Sequence, residues 1–128
     1  MTEDDVEAFA RLTGDRNPLH FDPETARRAG FGGPLIQGML MAGLFSRLVG
    51  EGLGGLTLYL TQDLAFKRPA VIGETLLVQG EVIAVHGSVG VVDLRTRIIS
   101  QSGELLVEGQ ARIKVLGALT PVARGEGQ

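Results

Sequence analysis

The stretch that decides the fold is Phe9–His20, F-A-R-L-T-G-D-R-N-P-L-H, read together with the apolar run Gly38–Val49. The first stretch places the carboxylate of Asp15 and the imidazole of His20 five residues apart around a turn that contains proline. The second stretch leaves almost no polar face, which predicts a buried helix at the centre of the domain. We therefore expect the rest of the chain to hold this turn against the start of the central helix.

Short helices are predicted on both sides of the turn. Thr2 is placed as an N-cap, Asp5 is the acidic partner of a capping box, and Gly14 ends the helix. Asp22 is the N-cap of the second helix, with proline at the first helical position and Gly30 as the stop. The turn is therefore a loop clamped between two helices, which is a common place for functional side chains.

The second half of the chain predicts β-strands. Alternating and β-branched residues mark four of them: Leu56–Phe66, Leu76–Val85, Val89–Ser100 and Leu105–Val115. Turn-like residues at 86–88 and 101–103 join the last three strands into an antiparallel meander. We expect one α+β domain over residues 1–117, with an antiparallel sheet wrapped on the helix, and a polar, poorly ordered tail at 118–128.

Composition narrows the class of function. The 128 residues suit a single domain, and the net charge of -3 argues against a nucleic acid or an anionic membrane as the main partner. The chain has no cysteine and two histidines, so we expect no metal site. The N-terminus lacks the order of a signal peptide, and the apolar run Leu35–Leu48 is too short to span a bilayer. We expect a cytoplasmic protein.

The residues also resemble a known family, the MaoC-like or (R)-specific enoyl-CoA hydratases. The matching residues are Phe9, Leu12–Asp15, Asn17–His20 and Ala26, followed by Gly33-Pro34, Gly38-Met39, Leu44–Ser46, Phe66-Lys67, Pro69 and Gly73-Glu74. The core G-D-x-N-P-L-H is specific, and the match covers most of the chain. One departure is Gln37, because family members often have histidine directly before the glycine.

The resemblance implies a hot-dog fold, in which a curved antiparallel sheet wraps around the helix that begins near Gly38. It implies a homodimer with joined sheet edges. The implied reaction is the reversible hydration of a trans-2-enoyl-CoA to the (R)-3-hydroxyacyl-CoA. No cofactor is expected, because coenzyme A is part of the substrate.

This chemistry needs a group that removes a proton from water, a proton for the α-carbon, and a donor to the thioester oxygen. Asp15 and His20 form an acid–base pair that can reach one water, and the Gly38 backbone N–H is the candidate oxyanion donor. Four further residues are candidate substrate contacts: Ser46, Asn17, Met39 and Lys67.

Other interpretations of the same residues stay open. Asp15 after glycine is also a common turn residue, Asn17 suits a structural role, and Ser46 can bond a carbonyl one helical turn earlier. Lys67 fits the phosphates of coenzyme A, but exposed basic residues are common at strand ends. Alternative functions are a 3-hydroxyacyl thioester dehydratase of fatty-acid synthesis, a hot-dog thioesterase, and a non-catalytic partner subunit.

Overall fold

A computed structural model describes residues 1–118 of the chain. The helices are α1 (Glu3–Thr13), α2 (Pro23–Arg28) and α3 (Gly38–Gly52), with a 3-10 helix at Pro18–His20. The strands are β1 (Gly55–Gln62), β2 (Ala65–Phe66), β3 (Leu76–His86), β4 (Val91–Ser100) and β5 (Leu105–Ala118). The segment predicted as a tail lies outside the described residues except for Ala118, at which β5 ends.

The strands form one antiparallel sheet in the order β1-β5-β4-β3, and β2 pairs with β5 beyond the end of β1. This confirms the predicted meander and the α+β hot-dog architecture with its curved sheet and helix. The segment predicted as a single strand over Leu56–Phe66 is divided into β1 and β2, and at Asp63, between them, the chain lies very close to β5. A Cβ added at Gly109 would overlap the Asp63 carbonyl oxygen, so only glycine permits this close approach.

Both helices that flank the turn begin as predicted. Thr2 accepts a hydrogen bond from the Asp5 N–H while the Asp5 carboxylate accepts one from the Thr2 N–H, which is a capping box. Gly14 ends α1 in the left-handed conformation, with φ 81°. Asp22 caps α2, which ends at Arg28, two residues before the predicted stop at Gly30. Local signals therefore fix the loop that bears Asp15.

Helix α3 packs on the sheet through one face. Its buried residues are Met41, Phe45 and Val49, at the four-residue spacing of a single stripe. On the other side, Met39 and Ser46 are exposed. The helix is thus covered on one face and not on nearly all sides as predicted, because a single sheet covers only one side of a helix. Among residues 1–118 no helix is long and apolar enough to cross a membrane.

Candidate active site

His20 is held in one orientation by the backbone. It ends the 3-10 helix, and its Nδ1 lies 2.7 Å from the carbonyl oxygen of Leu35. A carbonyl oxygen can only accept, so Nδ1 carries the hydrogen. In the neutral ring Nε2 is then an unprotonated acceptor. The side chain is 11% exposed, so His20 presents Nε2 from a mostly buried position.

Asp15 faces Nε2 of His20. Its Oδ1 accepts a hydrogen bond from the Asn17 N–H at 3.3 Å, and its Oδ2 lies 3.9 Å from His20 Nε2. The second distance is too long for a direct hydrogen bond, and it fits one water about 2.8 Å from both atoms. The Asp15 side chain is 42% exposed, so this position is open to solvent. The pair is arranged to hold one small hydroxylic molecule.

Asn17 shapes the turn between these two residues. Its side-chain oxygen accepts a hydrogen bond from the Leu19 N–H at 3.1 Å, which caps the 3-10 helix. Pro18 occupies the first helical position, where the missing N–H has no consequence. The structure therefore gives Asn17 a capping role, and its predicted contact with substrate stays a prediction.

The N-terminus of α3 opens into a cavity that also reaches His20. Its volume is about 290 Å³, and His20, Gly38, Phe66 and Lys67 are among its lining residues. No side chain caps α3, and the N–H groups of Gly38 and Met39 have no hydrogen-bond partner within residues 1–118. Free N–H groups at a helix N-terminus favour a negatively charged or polarised oxygen.

The chain before Gly38 is tied on two sides. The Leu35 N–H donates to the Leu19 carbonyl at 2.8 Å, and the Ile36 N–H donates to the Ala70 carbonyl, also at 2.8 Å. Leu35 thus bonds to the 3-10 helix through its N–H and to the His20 ring through its carbonyl oxygen. The helix N-terminus and the imidazole are therefore placed relative to each other by a single residue.

The structure brings together some of the predicted site residues and leaves others apart. His20, Gly38 and Lys67 line the same cavity, and Asp15 lies beside His20 without lining it. Lys67 Nζ lies 3.5 Å from a Glu108 carboxylate oxygen. Ser46 and Met39 are on the exposed side of α3 and do not line this cavity. The Ser46 hydroxyl makes no hydrogen bond within the described part of the chain, so it does not bond a carbonyl one helical turn earlier, and its contact with substrate stays a prediction.

Two features of the site were not predicted. Leu35 contacts the His20 ring through its backbone carbonyl, so the identity of its side chain gives no sequence signal for this contact. Phe66 is a half-exposed aromatic residue whose ring lies over Gly38: a Cβ added at Gly38 would be 3.0 Å from the ring. The family match at Phe66-Lys67 is the sequence signal that could have indicated it.

A larger groove lies elsewhere along α3. Its volume is about 440 Å³, and Leu44, Leu48 and Val78 line it. It is mostly apolar and contains none of the predicted reacting groups. Across residues 1–118 there is no group of three or more histidine, aspartate or glutamate side chains placed to hold a metal ion.

Comparisons with known proteins give consistent matches. Residues 1–102 match the family model described as the MaoC like domain. The (R)-specific enoyl-CoA hydratase of Aeromonas caviae is 43% identical over 112 residues, covering 87% of this chain and 84% of that protein. A mitochondrial 3-hydroxyacyl-(acyl-carrier-protein) dehydratase of Solanum lycopersicum is 37% identical over 113 residues, covering 87% of this chain and 68% of that protein. The solved structure of the A. caviae (R)-hydratase superposes with a TM-score of 0.86, at 41% identity, covering 90% of this chain and 88% of that one.

Proposed function

This chain belongs to the MaoC-like domain family, and from that premise we propose that it catalyses the reversible hydration of a trans-2-enoyl-CoA to the (R)-3-hydroxyacyl-CoA. One observation carries the proposal. Nε2 of His20 and Oδ2 of Asp15 are 3.9 Å apart, and His20 shares a cavity with the free N–H of Gly38. This arrangement matches the needs of the reaction group by group.

Asp15 and His20 bind the attacking water and transfer the proton. A water between Oδ2 and Nε2 donates its hydrogens to the two acceptors and turns a lone pair toward the β-carbon of the enoyl thioester. As the new C–O bond forms, the pair accepts a proton from the water and returns one to the α-carbon. Water is thus added across the double bond, and Asp15 and His20 end the turnover unchanged.

The N-terminus of α3 stabilises the negative charge that develops on the thioester oxygen. While the α-carbon lacks its proton, the thioester oxygen carries enolate charge, and the Gly38 N–H can donate to that oxygen. The dipole of α3 adds positive potential at the same point. A donor of this kind typically contributes about 3 kcal/mol of transition-state stabilisation. Glycine at this position leaves the approach to the N–H unobstructed on the backbone side.

The remaining contacts concern coenzyme A. Lys67 lines the cavity and its side chain is half exposed, which supports a contact between its ammonium and a phosphate or the pantetheine arm of coenzyme A. Coenzyme A enters as part of the substrate, so the proposed mechanism uses no separate cofactor. The cytoplasmic location expected from the sequence stays a prediction.

The proposed assembly is a homodimer joined at the β1 edges. Within residues 1–118, β1 pairs only with β5, so its other edge is free, and three exposed leucines alternate along it: Leu56, Leu58 and Leu60. An unpaired strand edge with exposed apolar residues favours pairing with another strand. Register shifts occur in the pairing of both edge strands, β1 and β3. The choice of the β1 edge for an isologous contact therefore rests on its three alternating exposed leucines.

A second candidate function uses the same groups in reverse. The similarity to a plant 3-hydroxyacyl-(acyl-carrier-protein) dehydratase supports removal of water from a 3-hydroxyacyl thioester on a carrier protein. The chemistry at Asp15 and His20 would be identical. The two functions differ in what carries the acyl group and in direction.

The test is a hydration assay with crotonyl-CoA, following loss of the enoyl thioester absorbance and the chirality of the product. We expect the wild type to give the (R)-alcohol, and Asp15→Asn and His20→Ala to lose about 10²- to 10⁴-fold in kcat while remaining folded. His86→Ala is the matched control, because His86 is an exposed histidine on the sheet. Turnover only with an acyl-carrier-protein substrate would favour the dehydratase. Release of free thiol, or no turnover of any enoyl thioester, would refute the hydratase proposal.

A further inference from the structure

Gln37 is a buried polar residue directly before the proposed oxyanion donor. Its side chain is almost completely inaccessible, at 1% exposure. Its Nε2 donates a hydrogen bond to the carbonyl oxygen of Val6 in α1 at 3.1 Å. Its Oε1 is the one buried side-chain nitrogen or oxygen in residues 1–118 that has no hydrogen-bond partner.

Because of its position in the chain, Gln37 connects two helices. As the N-cap residue of α3, Gln37 accepts hydrogen bonds from the Leu40 and Met41 N–H groups through its backbone carbonyl, both at 3.1 Å. Through its side chain it reaches α1, which runs to Gly14 and then to Asp15. One residue therefore links the N-terminus of α3 to the helix that delivers the carboxylate.

Gln37 is the last of three consecutive residues whose hydrogen bonds hold the N-terminus of α3. Leu35 bonds to the 3-10 helix and to the His20 ring, and Ile36 bonds to Ala70. Without the Gln37 side chain, the N-terminus of α3 would be tied to the histidine but not to α1. The distance between Gly38 and Asp15 would then depend on packing alone, which permits small shifts more readily than a hydrogen bond does.

Because Gln37 Oε1 has no partner in the protein, this oxygen contributes nothing to stability. A buried amide oxygen without a partner costs free energy, because its hydrogen bond to water in the unfolded chain is lost. Methionine has nearly the same length and volume and would fill this space without that cost. A polar group kept at a cost beside reacting groups is the pattern expected of a residue that serves geometry.

We propose that Gln37 is a positioning residue that fixes the Gly38 N–H relative to Asp15 by tying α3 to α1. The consequence for catalysis rests on the proposed function, whereas the tether itself does not. Gln37 touches neither the thioester nor the water in this account. It acts through the placement of the helix N-terminus.

The test compares Gln37→Met, which keeps the volume and removes the donor, with Gln37→His, which restores one donor and one acceptor. Steady-state kinetics with crotonyl-CoA should show kcat reduced about 10- to 100-fold in Gln37→Met, with KM changed less than about threefold. Its melting temperature should stay the same or rise. Gln37→His should recover most of kcat. Thr96→Val, at a buried polar residue in β4, is the control for polar removal elsewhere and should leave kcat unchanged.

A second readout does not depend on activity. Amide hydrogen exchange should be faster in α1 and in the first turn of α3 in Gln37→Met, unchanged in β3 to β5, and normal again in Gln37→His. The proposal is wrong if kcat is unchanged in Gln37→Met, if the melting temperature falls in step with activity, or if histidine fails to rescue either readout. If the wild type does not hydrate crotonyl-CoA, the proposed function fails. Exchange alone then decides the tether, and equal rates in both variants and wild type would refute it.

Discussion

Gly38→Ala separates the chemistry of the α3 N-terminus from its stability. A methyl group at this position would lie 3.0 Å from Cε1 and 3.1 Å from Cδ1 of Phe66. Carbon atoms in contact prefer about 3.5 to 4.0 Å, so the ring must move by roughly 0.5 to 1 Å. Phe66 is half exposed and can move toward solvent. The backbone imposes no strain, because no positive φ occurs at Gly38.

We expect Gly38→Ala to change kcat far more than it changes the free energy of unfolding. Alanine is favoured over glycine by at most about 1 kcal/mol inside a helix, and this gain offsets the cost of moving Phe66. We therefore expect the free energy of unfolding to change by less than about 1 kcal/mol. The methyl group and the displaced ring both crowd the oxygen that should approach the N–H. Loss of one such donor typically lowers kcat by about 10²- to 10³-fold.

The assay is crotonyl-CoA hydration on four proteins: wild type, Gly38→Ala, Phe66→Ala and the double variant. In the double variant the clash is gone but the methyl remains. If the methyl blocks the oxygen directly, the double variant stays as slow as Gly38→Ala. If displacement of the ring is the cause, activity returns to the level of Phe66→Ala.

The matched control is Gly50→Ala in the same helix, where an added Cβ meets nothing within 4 Å. It should be fully active and slightly more stable. A Gly38→Ala protein with wild-type kcat would refute the assignment of this N–H as oxyanion donor. A variant that is slow but also strongly destabilised would refute the argument that the two effects are separate.

Two predictions concern stability. The Arg112 guanidinium, and next the His86 ring, hold the pKa of Asp93 well below its usual range, so its carboxylate stabilises the fold above about pH 4 and this contribution is lost as the pH falls. Asp93→Asn should therefore lower the melting temperature at pH 7, with a difference that shrinks toward pH 3; a difference independent of pH in thermal melts would contradict this. Phe45 is 1% exposed between α3 and the sheet, so Phe45→Ala should cost about 3–5 kcal/mol in urea unfolding, and a loss below 1 kcal/mol would show that the site collapses around the cavity.

Local chemistry explains what the sequence predicted well. The capping box at Thr2 and the cap at Asp22 each depend on residues within one helical turn, so their pattern is complete in a short window. The same holds for Asp15 and His20, since a turn that contains proline brings their side chains, five positions apart, to the same side. The meander also follows from short-range turns between successive strands.

The features that could not be predicted from the sequence depend on contacts between residues far apart in the chain. The break at Asp63 depends on Gly109 in a strand that comes 46 residues later, and nothing near Asp63 signals it. The tautomer of His20 depends on a carbonyl at Leu35, where any residue would serve. Gln37 was visible only as a departure from the family pattern. Its partner, a carbonyl in α1, emerges only once the helices have packed.

Helix α3 is apolar on nearly all sides, yet the single chain covers only one of its faces. A dimer that covers the other face would account for this sequence. Pairing β1 with β1 of a second copy about a twofold axis perpendicular to the sheet would put both α3 helices on the same face of a continuous sheet. The exposed side of α3, with Met39 and Ser46, would then be available to the neighbouring copy and to a substrate lying between them. In that arrangement, the proposed dimer that covers the helix would also decide whether Met39 and Ser46 reach the substrate.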